Sequence, residues 1–281
     1  MENPKIIELF AESTLRKKVK WNNLLTRQQC SFISKKCVKI RKSEPSVAIG
    51  TCTVAYGKNN DNVIICPHRL TENNQIFLDC IHLLTQHEPG NELHVIPEIS
   101  VPGGSVDYVL ASVKNGKIKD FTGVELQTLD TTGSVWGYRQ LFLESQGIKL
   151  PAFDENATFG MNWKMTAKTI LVQMHHKITT FENLNKHLVL VLQDCLMNYM
   201  KKEFSFEHIS TIPKIGDSFH FHSYQLLANK DRYRLSLLER ASTDADGIAL
   251  CLGLKAEANV ELEVILKMLE SKISEKTLLK L

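Results

Sequence analysis

Asp107 and Glu125 are separated by 17 residues, and Gln127 follows Glu125 after a single leucine. Gly103 and Gly104 stand just before the aspartate, and an apolar run, GVELQTL, carries the other two. A Gly-Gly turn, a strand, a second turn at Lys114–Gly116 and another strand describe antiparallel neighbours. In a hairpin of that length the two carboxylates can meet on one side of the sheet. Together with the carbonyl of Leu126 they form an all-oxygen site suited to Mg²⁺. A cation there polarises a phosphodiester, stabilises charge on the scissile phosphate and acidifies a bound water. Gln127 can hydrogen-bond that water, but an amide neither takes a proton nor carries charge. Water activation then falls to the metal and the substrate phosphate, or a lysine comes from elsewhere. Lys164 and Lys168, one helical turn apart, are the accessory candidates. Glu98, in the preceding strand, is a further acid near the cation. No Ser or Cys sits beside a His in a nucleophile turn, so nothing points to acyl transfer.

A second constellation lies upstream. Four of the seven cysteines are spaced Cys30-x6-Cys37-x14-Cys52-x13-Cys66. With no secretory signal in the charged start of the chain, disulfides are not expected. Four thiolates in a short basic stretch read as a tetrahedral metal site, and Lys35, Lys36 and Lys39 favour the thiolate form. Such a metal stabilises a module too small for much core of its own. Chemistry alone suggests zinc at least as strongly as iron. Cys80, Cys195 and Cys251 fall in apolar segments and read as core. The Cys66–Arg69 stretch (CPHR) is expected to turn the chain and present His68 and Arg69 outward. His175–His176 and the alternating His220 and His222 read as surface or DNA-contacting residues rather than ligands.

Charge supports a polyanionic partner. The net charge is only +3, yet residues 1–43 hold 11 Lys/Arg against 3 Asp/Glu, leaving the remainder at −5. Cationic clusters release counterions from nucleic acid. At 281 residues, 43% apolar and 23% charged, the chain has length for one large or two modest globular domains. No run of about 18 apolar residues suggests a membrane span, and a cytoplasmic protein is the default expectation.

The elements that must position these groups follow from periodicity. Residues 1–25 read as one or two short helices, and residues 26–70 as a loop-rich module with strand-like pieces. Residues 74–87 repeat apolar side chains at helical spacing, from Ile76 to Leu84. Three strand signals follow, ending in the Glu125 strand. Residues 134–150 and 161–177 read as helices, the second with Trp163, Ala167, Ile170, Leu171 and Met174 on one stripe. HLVLVLQD is a continuous apolar run typical of a buried strand. A helix over 194–202, strands FHFHSYQLL, RYRLSLLER and GIALCLGL, and a last helix starting near Glu257 complete the chain. The fold class is α/β, with a mixed β-sheet flanked by helices. Two domains are expected: N-terminal helices with the four-cysteine metal-binding module over 1–72, and a catalytic core with the C-terminal strands and helix over 73–281.

The order helix–strand–strand–strand–helix–strand, with acids in the middle strands, resembles the core of the PD-(D/E)xK nucleases, although the first motif reads SVD. Adding the cysteine module, with RKSEPSVAIGTCTVAYG and VIICPHR ahead of PGGSVDYVL and GVELQTLDTTGSVW, the chain resembles the NotI-like type II restriction endonucleases over about residues 28–255. That resemblance implies a restriction-endonuclease-like core in its E-x-Q variant. Asp107 and Glu125 would hold the catalytic Mg²⁺, and Gln127 would fill the position where related nucleases carry lysine. Cys30, Cys37, Cys52 and Cys66 would be ligands of a single iron. It further implies a homodimer acting on a palindromic site in double-stranded DNA, as two-fold symmetry requires. Bases would be read from the N-terminal module and loops such as 56–62, 128–139 and 229–244; Arg139 and Trp136 are placed to approach the DNA, with packing at a helix start the favoured role for Trp136. Two other readings stand beside this one. A structure-directed repair nuclease would use the same core without a cognate site. A non-catalytic, metal-stabilised DNA-binding protein would treat Gln127 as the mark of a decayed site.

Overall fold

The computed structural model describes residues 5–254 and 262–272. The chain opens on two strands, β1 (Ile6–Leu9) and β2 (Glu12–Ser13), where helices were expected. All four β1 side chains are buried, a pattern that a strand covered on both faces satisfies and a one-sided helix does not. Helix α1 (Trp21–Arg27) follows. The cysteine-bearing loops hold two small ribbons, β3 (Gln29–Cys30) with β4 (Lys35–Lys36) and β5 (Ile40–Arg41) with β6 (Glu44–Ala48). Strands β7 (Thr51–Tyr56) and β8 (Asp61–Ile64) complete a four-stranded sheet ordered β2-β1-β7-β8.

The helical pattern of residues 74–87 is broken into short pieces: the end of a 3₁₀ segment (Pro67–Asn74), helix α2 (Gln75–Leu78) and a 3₁₀ turn (Ile81–Leu83). Asn73 and Asn74 both adopt left-handed φ, which stops a single helix from forming. Ile76, Phe77, Cys80 and Leu84 still face inward. Strands β9 (Glu92–Val101), β10 (Gly104–Lys114) and β11 (Lys117–Gln127) then form an antiparallel meander.

From β11 the chain passes through β12 (Thr131–Gly133), α3 (Trp136–Ser145) and β13 (Phe159–Met161) into the long helix α4 (Trp163–Asn183). Strand β14 (His187–Gln193), helix α5 (Asp194–Glu203) and strands β15 (Phe219–Asn229) and β16 (Arg232–Thr243) follow. GIALC, expected as a strand, lies in helix α6 (Ala245–Cys251), because Asp244 caps it by accepting from the Gly247 N–H at 2.8 Å. The expected start near Glu257 lies outside the described residues, and the last described helix is α7 (Leu262–Glu270).

The result is a mixed α/β architecture. Its main sheet is ordered β16-β15-β14-β11-β10-β9, parallel where β14 meets β11 and β15 and antiparallel elsewhere. One face packs under α4 and α5, with Ile170, Met174 and Phe181 over Leu188, Leu190 and Phe221. A Cβ at Gly123 would stand 2.6 Å from the Phe181 ring, so β11 needs glycine there for α4 to lie this close. The other face, with Val124, Val189 and Tyr224, is covered by the segment from Leu70 to Leu84. The N-terminal sheet reaches both: Ile6, Leu9 and Val54 join the first cluster, and Ile7, Ala55 and Ile64 join the second. Among the described residues, no helix is long and apolar enough to cross a membrane.

His220 and His222, expected at the surface, are buried on the sheet face opposite α4. His220 and His187 both lie against the Asp217 carbonyl, at 2.9 and 3.0 Å, and His222 stacks on His82. Burial, then the neighbouring His187, holds His220 down at about 3, and burial with Arg240 holds His222 well below the ordinary value. Both are therefore neutral in the folded protein. Below about pH 6.5 the unfolded chain binds protons that the folded chain refuses. The contribution of the two rings should be constant above that pH and fall as pH drops toward 3, by up to about 1.4 kcal/mol per pH unit for each histidine. Urea denaturation of Glu125→Gln, which removes the oppositely signed titration of that carboxyl, at pH 7.5 and pH 5 checks this, and equal midpoints would contradict the burial of these rings as neutral groups.

Candidate active site

The register of the meander decides where the acids go. Tyr108 pairs with Val124, so the next positions, Asp107 and Glu125, stand opposite each other on the face beneath α4. Glu125 is buried and Asp107 is exposed. The Leu126 N–H donates to Asp107 Oδ2 at 2.8 Å, which fixes that carboxylate in place. Burial pushes the Glu125 carboxyl up to about 7, against the pull of Lys177, with the adjacent Asp107 pushing the same way as burial. The two expected acids are thus brought together as an adjacent pair on one face, the buried one held up by its surroundings.

Lys177 is the residue that sequence reasoning missed. Its Nζ contacts Glu125 Oε1, and the side chain is almost fully buried. Lys164 and Lys168 are exposed on α4 and do not reach the pair. The physical reason is helical phase: Lys168 is nine residues from Lys177, about two and a half turns, and so lies on the opposite face. A signal was present. Lys177 falls on the stripe of Ile170, Met174 and Phe181, where a charged residue in an apolar row calls for a buried partner.

The hairpin tip docks on α4 at this level. A Cβ at Gly103 would fall 2.2 Å from the His176 carbonyl oxygen, and one at Gly104 would stand 3.1 Å from Lys177 Cε. Thr180 Oγ1 donates to the Pro102 carbonyl at 3.0 Å. Glu98 lies opposite Asp107, between the pairs Val106–Ile99 and Tyr108–Pro97, and holds a left-handed φ of 52°. It is exposed, and with Asp107 it adds to the burial that raises the Tyr108 phenol. Gln127 is half-buried, and its Nε2 donates to the Thr128 carbonyl at 2.6 Å. Strand β11 therefore carries the whole E-x-Q set on the face of Lys177.

The cysteines gather elsewhere. Cys30, Cys37, Cys52 and Cys66 line one tight cavity with Phe10, Lys39 and His68. Burial raises the Cys30 thiol against the pull of the Phe32 and Ile33 N–H groups, while the His68 and Arg69 N–H groups help to lower that of Cys66. The Cys66 thiol is lowered to about 6, chiefly because Cys52 donates to it, and Cys52 is raised in return. Among the described residues, no group of three or more Cys, His, Asp or Glu side chains is preassembled to hold a metal ion. The donor chemistry still fits each expected group: soft sulfurs with N–H donors in one cavity, and hard paired carboxylates in the other site.

His68 and Arg69 do not both face outward. Arg69 is fully buried, its Nε bonding Glu8 at 2.7 Å, its Nη1 bonding Glu72 at 2.9 Å and its Nη2 donating to the Tyr233 carbonyl at 3.1 Å. His68 is half-buried, lowered by burial while the charge of Asp107 draws it the other way. The chain leaving Cys66 thus runs past the acidic pair. Arg139 is also buried, donating to the Ile49 carbonyl at 2.7 Å and stacking on Trp136.

A family model described as restriction endonuclease NotI matches residues 26–215. That span includes the four cysteines, Asp107, Glu125, Gln127 and Lys177. No curated protein matches the chain.

The hairpin docking makes a direct prediction. Gly103→Ala forces a side chain into a left-handed φ of 91° and against the α4 backbone. It should lower stability by about 1–3 kcal/mol and loosen the Lys177–Glu125 contact. A urea midpoint indistinguishable from wild type would reject this docking.

Proposed function

Because the chain belongs to the NotI restriction endonuclease family, and is thereby a site-specific DNA endonuclease, we propose that it cuts double-stranded DNA by Mg²⁺-dependent phosphodiester hydrolysis at a palindromic site, acting as a homodimer. The observation that carries the mechanism is the register that sets Asp107 against Glu125 beneath α4. The core reads as PD-(D/E)xK in its E-x-Q form, supported by the meander, the long helix and the parallel strand that follow in that order.

Asp107 and Glu125 would hold the Mg²⁺, which when bound supplies positive charge at the scissile phosphate and acidifies the attacking water. Asp107 is oriented for this by the Leu126 N–H. Glu125, buried and close to Asp107, is kept from ionising fully until a cation joins the pair. Gln127 would release the Thr128 carbonyl to hydrogen-bond the water in line with the phosphorus. Glu98, opposite Asp107 in a strained conformation, is the accessory acid. Two-fold symmetry of dimer and site would put one such centre on each strand.

Cys30, Cys37, Cys52 and Cys66 would hold a structural iron, or zinc in its place, which would lock the basic N-terminal segment beside the nuclease core. The four sulfurs lining one cavity, with Cys66 lowered to about 6, support this reading.

Purified protein digesting a large, fully sequenced, unmethylated DNA should give discrete fragments with Mg²⁺ and none with EDTA. A Mg²⁺-dependent smear would point to a structure-directed repair nuclease instead. Glu125→Ala should bind the same DNA in a gel-shift assay but cut at least about 10³-fold more slowly, since several kcal/mol of transition-state stabilisation go with the cation. Cutting at the wild-type rate would discard this active site. Cys52→Ser should lose bound metal by mass spectrometry and melt at a lower temperature, and unchanged metal content would remove the four-cysteine proposal.

A further inference from the structure

Gln127 leaves the acidic site short of one positive charge, and the fold supplies one from another element. Two carboxylates and a phosphodiester carry three negative charges at closest approach. A divalent cation cancels two of them. The third remains in a partly buried site, where an uncompensated charge is costly. Lysine at position 127 would have cancelled it, but the glutamine there cannot.

Among the described residues, Lys177 is the cation in contact with Glu125 of the pair. It enters from α4, above the same sheet face on which a lysine at 127 would project. It is not a surface lysine that happens to reach inward. The stem is buried between the hairpin tip and the helix stripe, and the Gly103–Gly104 turn leaves no Cβ that would block its path. Lys164 and Lys168 are on the far side of the helix, and Arg139 is committed to backbone carbonyls at Ile49 and Ala48. Burying an ammonium beside one carboxylate costs desolvation that a plain structural position avoids by using methionine or leucine.

We propose that Lys177 is the catalytic lysine of this enzyme, moved from the strand to the helix. This rests on the reading of Asp107 and Glu125 as the cation site. Before the cation arrives, the ammonium neutralises Glu125. With Glu125 engaged by a bound cation, the ammonium would be free to face the scissile phosphate and the attacking water. There it stabilises the charge that builds on the phosphate oxygens during attack. No proton needs to leave Lys177 for this role.

The test is single-turnover cleavage of a linear DNA fragment carrying one site mapped in the digestion above, at saturating Mg²⁺. Lys177→Met should cut about 10²–10³-fold more slowly, the range for losing one donor to a developing oxyanion. Its affinity for the fragment in Ca²⁺ should fall far less than its cleavage rate. Placing the lysine back on the strand, in Lys177→Met with Gln127→Lys, should recover at least about tenfold of that loss. A lysine that only balanced charge before cation binding gives a different result: Lys177→Met then cuts like wild type once Mg²⁺ is saturating, and the proposal is overturned. Loss of rate that Gln127→Lys does not repair, together with a lower melting temperature in Mg²⁺, also overturns it in favour of a structural role. Lys177→Arg, which keeps the charge and fold, should retain more activity than Lys177→Met, and equal loss in both counts against it. Glu125→Ala run alongside separates the two claims: if it is inactive while Lys177→Met cuts normally, only the lysine assignment fails, and if both cut normally the acidic site itself fails.

Discussion

Like charges on neighbouring strands repel, and strand register gives them no room to part. At about 4 Å and an effective dielectric near 20, two carboxylates cost on the order of 4 kcal/mol, a large share of the roughly 5–15 kcal/mol that holds a domain together. Asp107 and Glu125 are locked in that position by the pairing of Tyr108 with Val124 just beyond them. Three local features answer the repulsion: the Leu126 N–H on Asp107, the Lys177 ammonium on Glu125, and a proton that Glu125 keeps up to about pH 7. Each is partial. A divalent cation answers it more fully because it brings two charges to one point. The close approach of α4, made possible by glycines at 103 and 123, keeps the ammonium within reach.

The cysteine segment is tied to this centre through the chain that leaves Cys66. His68 lines the thiol cavity and feels the Asp107 charge, while Arg69 is clamped between Glu8 and Glu72 and reaches the Tyr233 carbonyl on β16. A guanidinium buried with two carboxylates does not gain much stability over an apolar substitute, but removing one partner strands the others. The network acts as a fastener between the N-terminal sheet, the 3₁₀ segment and the β15–β16 hairpin. On the other side, Arg139 fastens α3 to the loop at Ala48 and Ile49 with Trp136 laid against it. Two residues that the sequence offered as outward-facing or DNA-facing are therefore structural ties.

Sequence reading reached the acid-bearing strands because they obey short-range rules. The spacing from Asp107 to Glu125 is a hairpin's spacing, the glycine pair marks its turn, and alternation puts Glu125 and Gln127 on one face. The long helix and the apolar strand after it were legible for the same reason. The failures share a cause: each depended on what packs against the residue from far away. Ile6–Leu9 form a strand because β7 is beside them. His220 and His222 are buried because the segment around Cys80 and His82 covers their face. Lys177 was hidden by its neighbours, since a stripe of Ile170, Met174 and Phe181 reads as core and the one charge within it was passed over. A cap at Asp244 turned an apolar run into a helix where its composition suited a strand.

The N-terminal sheet sends side chains into both apolar clusters, one on each face of the main sheet. Its two faces are complementary halves of interiors completed by residues from α4, α2, β11 and β14. That arrangement bears on how much sequence change the N-terminal segment can take up. A cysteine segment taken from a relative would have to match two half-interiors at once, as well as the sockets for Arg69 and Arg139. Wholesale exchange of that segment is therefore a steep route to a working variant, and substitution within the exposed turns, which leaves both interiors intact, is the shallow one.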